Sequence, residues 1–498
     1  MNIFRSINKT TINDSYSRLT VHEKFQRLPR SFQYLEIFDQ TEYIYFKEMI
    51  GEASFYIKKL NITHPPKSLN FIEFNGLFTN ITSLVLGSGY YNSKNPGIFE
   101  IADFKLPRTV RSLNLGYGFQ LKLKIGTLPE TLTELSIHYS FEYEGFQWVG
   151  DLCEPLQSFA IGAPRLQDPI PKGLFPSSLK RIRILMDNDI LDDLPSGLEE
   201  LYISSRRLSK LNSSGWLPNS LRIVILINFN EPFQSGTFPD SLEKLVLDKF
   251  NQPILPNTLP KNLKVLEIPT YEHDIISEGI LPDTIEHLKI PKVYIKNVKR
   301  SLPSSLLHLV LTEYDTAVPI EPDIIPVSLK TITVSYPCVS NGSLLKCTNL
   351  KSLSLHYPVY SYPTDLTSNF PNQLTELTIP YLTYKSFKSG DLNSLTHLTV
   401  SIGIYQKKSV IFDFDSKYLP PAIELLDLGP YTNCQFLSNS TLPKSLRIFK
   451  VGHQYTNIFP KNLLPPFLVK LYLPLKQKET ILKHCKIPFY CSFVQSKL

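Results

Sequence analysis

A ten-residue frame, Leu-Pro-x-Ser-Leu-x-x-Leu-x-Leu, recurs along this chain about every 21 or 22 residues, and few folds can satisfy it. Its clearest copy is Phe238-Pro239-Asp240-Ser241-Leu242-Glu243-Lys244-Leu245-Val246-Leu247, followed at once by Leu259-Pro260 to Ile268, Leu281-Pro282 to Ile290 and Leu302-Pro303 to Leu311. Extending the register gives twenty repeats, starting at 28, 53, 77, 106, 128, 152, 175, 194, 217, 238, 259, 281, 302, 325, 346, 370, 391, 419, 442 and 464. Proline fills the second position in fifteen of them, whereas 39 prolines in 498 residues would place fewer than two there by chance. The repeats at 53, 77, 152, 346 and 391 lack it and are degenerate.

The frame has a direct physical reading. Leu-x-Leu alternates with period two, as in a strand with one buried face, so Leu245 and Leu247 point inward and Lys244, Val246 and Asp248 outward. Proline has no N–H for a ladder and opens a turn, which fixes where each coil re-enters. The Ser, Thr or Asn two residues later is placed to bond neighbouring backbone. One coil of this size cannot bury its own apolar stripe, but stacked coils bury one another's. The expectation is a mainly β solenoid, a stack of about twenty coils of about 22 residues carrying one parallel sheet. One repeat domain over 28–473 then replaces the several domains that length suggests, with caps at 1–27 and 474–498. Ile481, Leu482, Ile487, Phe489, Tyr490 and Phe493 give the second cap its apolar character. Two spacings exceed the others, and the extra residues near Gly87–Lys105 and Ser401–Tyr418 are expected as loops on one face.

The return half of each coil also has a theme. Phe229-Asn230-Glu231-Pro232-Phe233 and Phe250-Asn251-Gln252-Pro253-Ile254 precede their Phe-Pro and Leu-Pro signals at comparable distances. Asp168-Pro169-Ile170-Pro171-Lys172-Gly173 and Asp274-Ile275-Ile276-Ser277-Glu278-Gly279 are worn versions. Together with the ten-residue frame, this resembles the FNIP repeat family, named for its Phe-Asn-Ile-Pro signature and similar to leucine-rich repeats. The resemblance covers roughly residues 28 to 473, although no repeat carries an unaltered Phe-Asn-Ile-Pro.

Catalytic signatures are missing. There is no P-loop, no Gly-x-Ser-x-Gly, no His-Glu-x-x-His and no paired-cysteine metal site. Gly87-Ser88-Gly89 and Gly116-Tyr117-Gly118 lack the third glycine of a dinucleotide loop and read as turns. His287 and His308 hold the outward seventh position of successive repeats, with Glu267 on the adjoining coil. Two histidines fall short of a metal's usual ligand count, so solvated surface histidines are the simpler reading. No catalytic, cofactor or metal-binding residue is assigned, and a small-molecule substrate is not expected.

The net charge of +7 is spread along the chain, and its densest clusters, Lys296-Asn297-Val298-Lys299-Arg300 and Gln406-Lys407-Lys408, are short. Such runs mark solvated loops rather than a nucleic-acid face. No apolar run reaches the ~18 residues of a membrane span, and the N-terminus lacks an apolar signal region. The six cysteines fit no zinc or redox spacing, so they are expected as reduced, mostly buried thiols of a soluble cytoplasmic protein. Ser496-Lys497-Leu498 is the tripeptide that the peroxisomal import receptor reads, which makes that compartment the alternative.

What remains is a surface. At the outward seventh and ninth positions, Ile223, Ile225, Val246, Val265 and Val310 lie among Lys244, Glu267 and Lys289, an apolar strip rimmed by charge. β-Branched residues also simply suit strands, which is the plainer account. The expected function is a non-catalytic scaffold that binds protein. A substrate-recruiting adaptor and a parallel β-helix enzyme acting on polysaccharide are the alternatives. Such an enzyme would show several strands per coil and clustered acids or bases in a groove.

Overall fold

The computed structural model describes residues 33–37, 56–62, 76–87, 99–100, 106–116, 119–120, 128–138, 152–162, 172–185, 193–206, 208–213, 215–273, 279–291, 302–312, 319–339, 342–356, 369–380, 392–401, 413–430, 433–438 and 440–496, with Ile170, Leu191 and Ile275. The first cap (1–27) and both short basic clusters lie outside the described residues. By its internal contacts the chain divides into two compact units, 1–252 and 253–498.

Both units are built from the same coil. In the first, ten short strands from Tyr34–Ile37 to Lys244–Leu247 form a parallel sheet, one strand from each repeat. In the second, ten strands from Val265–Glu267 to Lys470–Leu473 do the same. An eleventh, Ser492–Gln495, comes from the segment expected as a cap and pairs in parallel with Lys470–Leu473. Complete coils of about 22 residues number about fourteen, fewer than the twenty expected, because several repeats are described only around their strand.

The register of the sheet explains the conservation of spacing within the frame. Leu245 lies opposite Val224 and Leu247 opposite Leu226, and all four are at most 1% exposed. In the second unit Leu288 lies opposite Leu309 and Ile290 opposite Leu311 in the same way. Each inward leucine is therefore covered from above and below by its counterparts, where full burial contributes about 1.5–3 kcal/mol.

The turn at the start of the frame is made by the second residue's carbonyl. The N–H of Leu242 donates to Pro239 O (3.0 Å), and the N–H of Leu306 donates to Pro303 O (3.0 Å). The degenerate repeats make the same bond without proline, Leu156 to Cys153 O and Leu350 to Cys347 O, each at 3.0 Å. Proline's contribution is thus its fixed φ and its lack of a donor, not the turn bond itself. Two places before Leu-Pro the chain takes a left-handed conformation, as at Gly236 (φ 82°) and Asn257 (φ 62°), which suits Gly and Asn.

The hydroxyl at the fourth position ties one coil to the next. Ser241 Oγ donates to Leu221 O (2.7 Å), Ser220 Oγ to Leu198 O (2.6 Å), and Ser178 Oγ to Leu156 O (2.8 Å). In the second unit Thr284, Ser305, Ser328 and Ser445 repeat the bond at 2.6–2.8 Å. The partner is the preceding coil's backbone at the fifth position, so this ladder runs along the stack.

On the return side Phe229 and Phe250, both fully buried, stack at 6.1 Å with rings 8° apart. Beside them Asn230 Oδ1 accepts from the Asn251 N–H (2.7 Å). The Phe-Asn pair therefore supplies a core ring and an inter-coil bond. Tyr455 and Asn433 of the second unit act alike: Tyr455 is fully buried, and Asn433 Oδ1 accepts from the Thr456 N–H (3.1 Å).

The two long insertions were expected as loops, and part of each instead forms a second short sheet. Phe99–Glu100 pairs with Phe119–Gln120 in the first unit. In the second, Asp413–Phe414 pairs with Gln435–Phe436, and the fully buried Phe414 ring packs 5.2 Å from Phe436. A partner strand holds each pair, and in the second unit a buried ring adds to it.

Substitution Leu242→Ala should lower stability by about 2–5 kcal/mol, as buried leucines do elsewhere. Ser241→Ala should cost only about 1 kcal/mol, the scale of one hydrogen bond. Gly452→Ala should also unfold at lower denaturant, because an added Cβ falls 2.6 Å from the Pro430 carbonyl carbon. Urea melts followed by circular dichroism read all three, and a Ser241→Ala loss equal to that of Leu242→Ala would contradict the ranking.

Candidate binding surface

A parallel solenoid sheet leaves the seventh and ninth positions of every strand pointing away from the core. They are not fully solvated, because each lies between the same positions of neighbouring strands about 4.8 Å away. Ile223, Ile225, Val246, Val265 and Val310 are accordingly all half-buried.

In the first unit the predicted residues come together. Ile225 pairs in register with Val246, and Ile223 with Lys244. On the other side Ile225 pairs with Tyr202, which pairs with Arg183. The Arg183 guanidinium lies over the Tyr202 ring, 4.5 Å from its centre. The ninth-position row therefore runs Arg183, Tyr202, Ile225, Val246, and Arg181, Glu200 and Lys244 flank it at the seventh. Tyr202 and Arg183 were missed by sequence reasoning. Their repeats differ in length from their neighbours', but position within the frame would have found them.

In the second unit the strip does not continue. Val265 pairs with His287, and Val310 with Lys289. Between them Glu267 and Lys289 pair in register, and their charged ends lie 3.9 Å apart. Further along, the ninth-position row becomes hydroxyl-bearing, with Thr333, Ser354, Thr378 and Thr399 in register.

His287 and His308 are neighbours as expected, with ring centres 6.1 Å apart. His308 Nδ1 lies 2.8 Å from Thr331 Oγ1, and Glu267 faces Lys289. Among the described residues no group of three His, Cys, Asp or Glu side chains could hold a metal ion.

The cysteines are free thiols; Cys338, Cys347 and Cys434 are buried, and Cys153, Cys485 and Cys491 half-buried. Burial pushes the Cys347 thiol up to about 11 and raises Cys434 further. No described helix is long and apolar enough to cross a membrane. Of the C-terminal tripeptide, Ser496 is buried; its Oγ donates to Val451 O (2.7 Å) and its N–H to Leu473 O (3.1 Å). Lys497 and Leu498 lie outside the described residues.

The FNIP Repeat model matches residues 101–140, 212–249, 229–271 and 250–293, which include the Phe-Asn segments and the clearest frames. These segments match the FNIP repeat. No curated protein matches the chain. Among solved structures, this chain is similar to CroV588, described as a novel circular LRR protein, with 21% identity and a TM-score of 0.55 over 94% of this chain and 73% of that one. That likeness shows the leucine-rich-repeat fold. Toll-like receptor 13 bound to a single-stranded RNA matches at 14% identity and a TM-score of 0.42, over 85% of this chain and 61% of that one. The Drosophila Toll–Spatzle complex matches at 14% and 0.36, over 91% and 63%.

Buried thiols should resist modification. At pH 8 in native buffer Cys338, Cys347 and Cys434 should remain unlabelled by iodoacetamide while guanidine exposes all six, as read by peptide mass spectrometry. Rapid native labelling of Cys347 would contradict its burial.

Proposed function

We propose that this FNIP-repeat protein is a non-catalytic scaffold that binds another protein through the sheet face of its first unit. The observation that carries this reading is the ninth-position row Tyr202, Ile225, Val246 with Arg183 stacked on its edge. A tyrosine held by a guanidinium beside two aliphatic side chains, with charges around it, combines the residue types that dominate binding energy at protein interfaces. Strand propensity alone accounts for Ile225 and Val246 but gives no reason for an Arg–Tyr stack in the same row. The rigid stack beneath them keeps these side chains in place, so little ordering is needed on binding.

Enzymatic action on polysaccharide gains no support from this geometry. The outward positions of the first unit's row carry no cluster of carboxylates, and the second strand per coil that a β-helix enzyme would show occurs at two places only among the described residues. A cytoplasmic setting suits free thiols. Peroxisomal import would require a tail whose Ser496 hydroxyl first leaves Val451.

The double substitution Ile225→Asp/Val246→Asp should remove a reproducible partner from affinity purifications read by quantitative mass spectrometry. A Lys172→Glu variant at an exposed site should keep it. Both variants should melt near the parent, since half-buried surface changes cost little. An unchanged partner set in the double variant would sink the proposal.

A further inference from the structure

The last described coil of the second unit ends in a surface unlike any other among the described residues. In the two preceding coils the fifth-position residues, Leu446 and Leu468, are 0% and 1% exposed. The turn bond that Leu468 makes to Pro465 O is made in the last coil by the Cys491 N–H to Pro488 O (3.1 Å), which places Phe489 and Tyr490 within that turn. Yet Phe489 is 91% exposed and Tyr490 84%, their rings packed edge to face at 5.0 Å. Phe467 and Ile487 of the last two turns are also exposed, at 59% and 46%. Part of the segment does act as the expected cap, since Ile481 and Leu482 of the short helix are buried. The aromatic tip does not.

The charge around this tip is predominantly positive. Between 474 and 490 the chain carries Lys476, Lys478, Lys483 and Lys486, with His484, against Glu479. The Lys486 N–H donates to Lys461 O (3.0 Å), which brings a further exposed lysine alongside. Lys461, Lys483 and Lys486 have no ion-pair partner among the described residues. We propose that this tip docks the protein peripherally on an anionic phospholipid surface, Phe489 and Tyr490 entering the headgroup boundary while the lysines face the lipid phosphates.

Three features select this occupant. The uncompensated lysines oppose a second copy of the same surface by like-charge repulsion and attract an anionic one. Side chains exposed to 91% and 84% stand proud of the fold, so they suit insertion into a soft interface rather than reception of a partner in a groove. An aromatic pair beside a basic cluster supplies the two signals, apolar and electrostatic, that stable interfacial binding needs. The association is superficial, and no described helix could span the bilayer.

The test is sedimentation of the full chain with phosphatidylcholine vesicles, with and without phosphatidylserine. The protein should pellet only with phosphatidylserine and be released as salt rises. Lys483→Glu/Lys486→Glu should weaken binding on the order of tenfold or more. Phe489→Ser/Tyr490→Ser should weaken it by about tenfold or more, with unchanged circular dichroism because both side chains are already in solvent. Failure to pellet overturns the proposal, as does equal binding by either variant. A dimer in analytical ultracentrifugation that Phe489→Ser/Tyr490→Ser dissolves, without vesicle binding, would assign the tip to a second copy. Capture of an acidic peptide without vesicle binding would assign it to a protein.

Discussion

No coil of this chain can exist alone, because each inward leucine is buried only when the coil before and the coil after supply their own. Leu306, Leu309 and Leu311 are at most 1% exposed by this means, and deleting any one opens the core of its neighbours too. Directional bonds then fix the register that hydrophobic contact leaves loose. The fourth-position hydroxyl reaches back one coil to the fifth-position carbonyl, and on the far side Asn230 reaches the next coil's N–H. Each such bond contributes about 1 kcal/mol, roughly half of one buried leucine. Repeated along the stack, these bonds hold the strands at one level.

That division of labour frees the outward positions. The second, fourth, fifth, eighth and tenth places of the frame are occupied by stacking, whereas the seventh and ninth contribute little to it beyond strand propensity. The two units have used this freedom differently. The first presents an aromatic and aliphatic row with an Arg–Tyr stack; the second presents Thr333, Ser354, Thr378 and Thr399 in register. A scaffold with one stacking code and variable faces is what the leucine-rich fold supports, and the binding assignment rests on the character of the first face.

The frame made the stack legible before any coordinates, because a leucine covered from both sides tolerates few replacements and so recurs visibly. The return half was less legible: Phe229 and Phe250 show their stacking only once coil lengths are known. Of the expected strip, Ile223, Ile225 and Val246 adjoin in the first unit, whereas in the second Val310 sits beside Lys289 and Val265 beside His287. Apolar residues at equivalent positions need adjacency in register, and a list of them cannot show it. Six residues gave the second cap some apolar character in sequence; of these Ile481 and Leu482 are buried, Phe493 is half-buried, and Ile487, Phe489 and Tyr490 are exposed. Composition reports how many apolar side chains a cap has, but whether a side chain is covered depends on the next layer.

The most direct test of the account is side-chain footprinting of the chain with and without its captured partner. Radical labelling should fall at Tyr202, Ile223, Ile225 and Val246 in the complex and stay unchanged at the return-side residues Trp216 and Phe233. Protection confined to the return side, with the sheet row labelled as in the free protein, would contradict it.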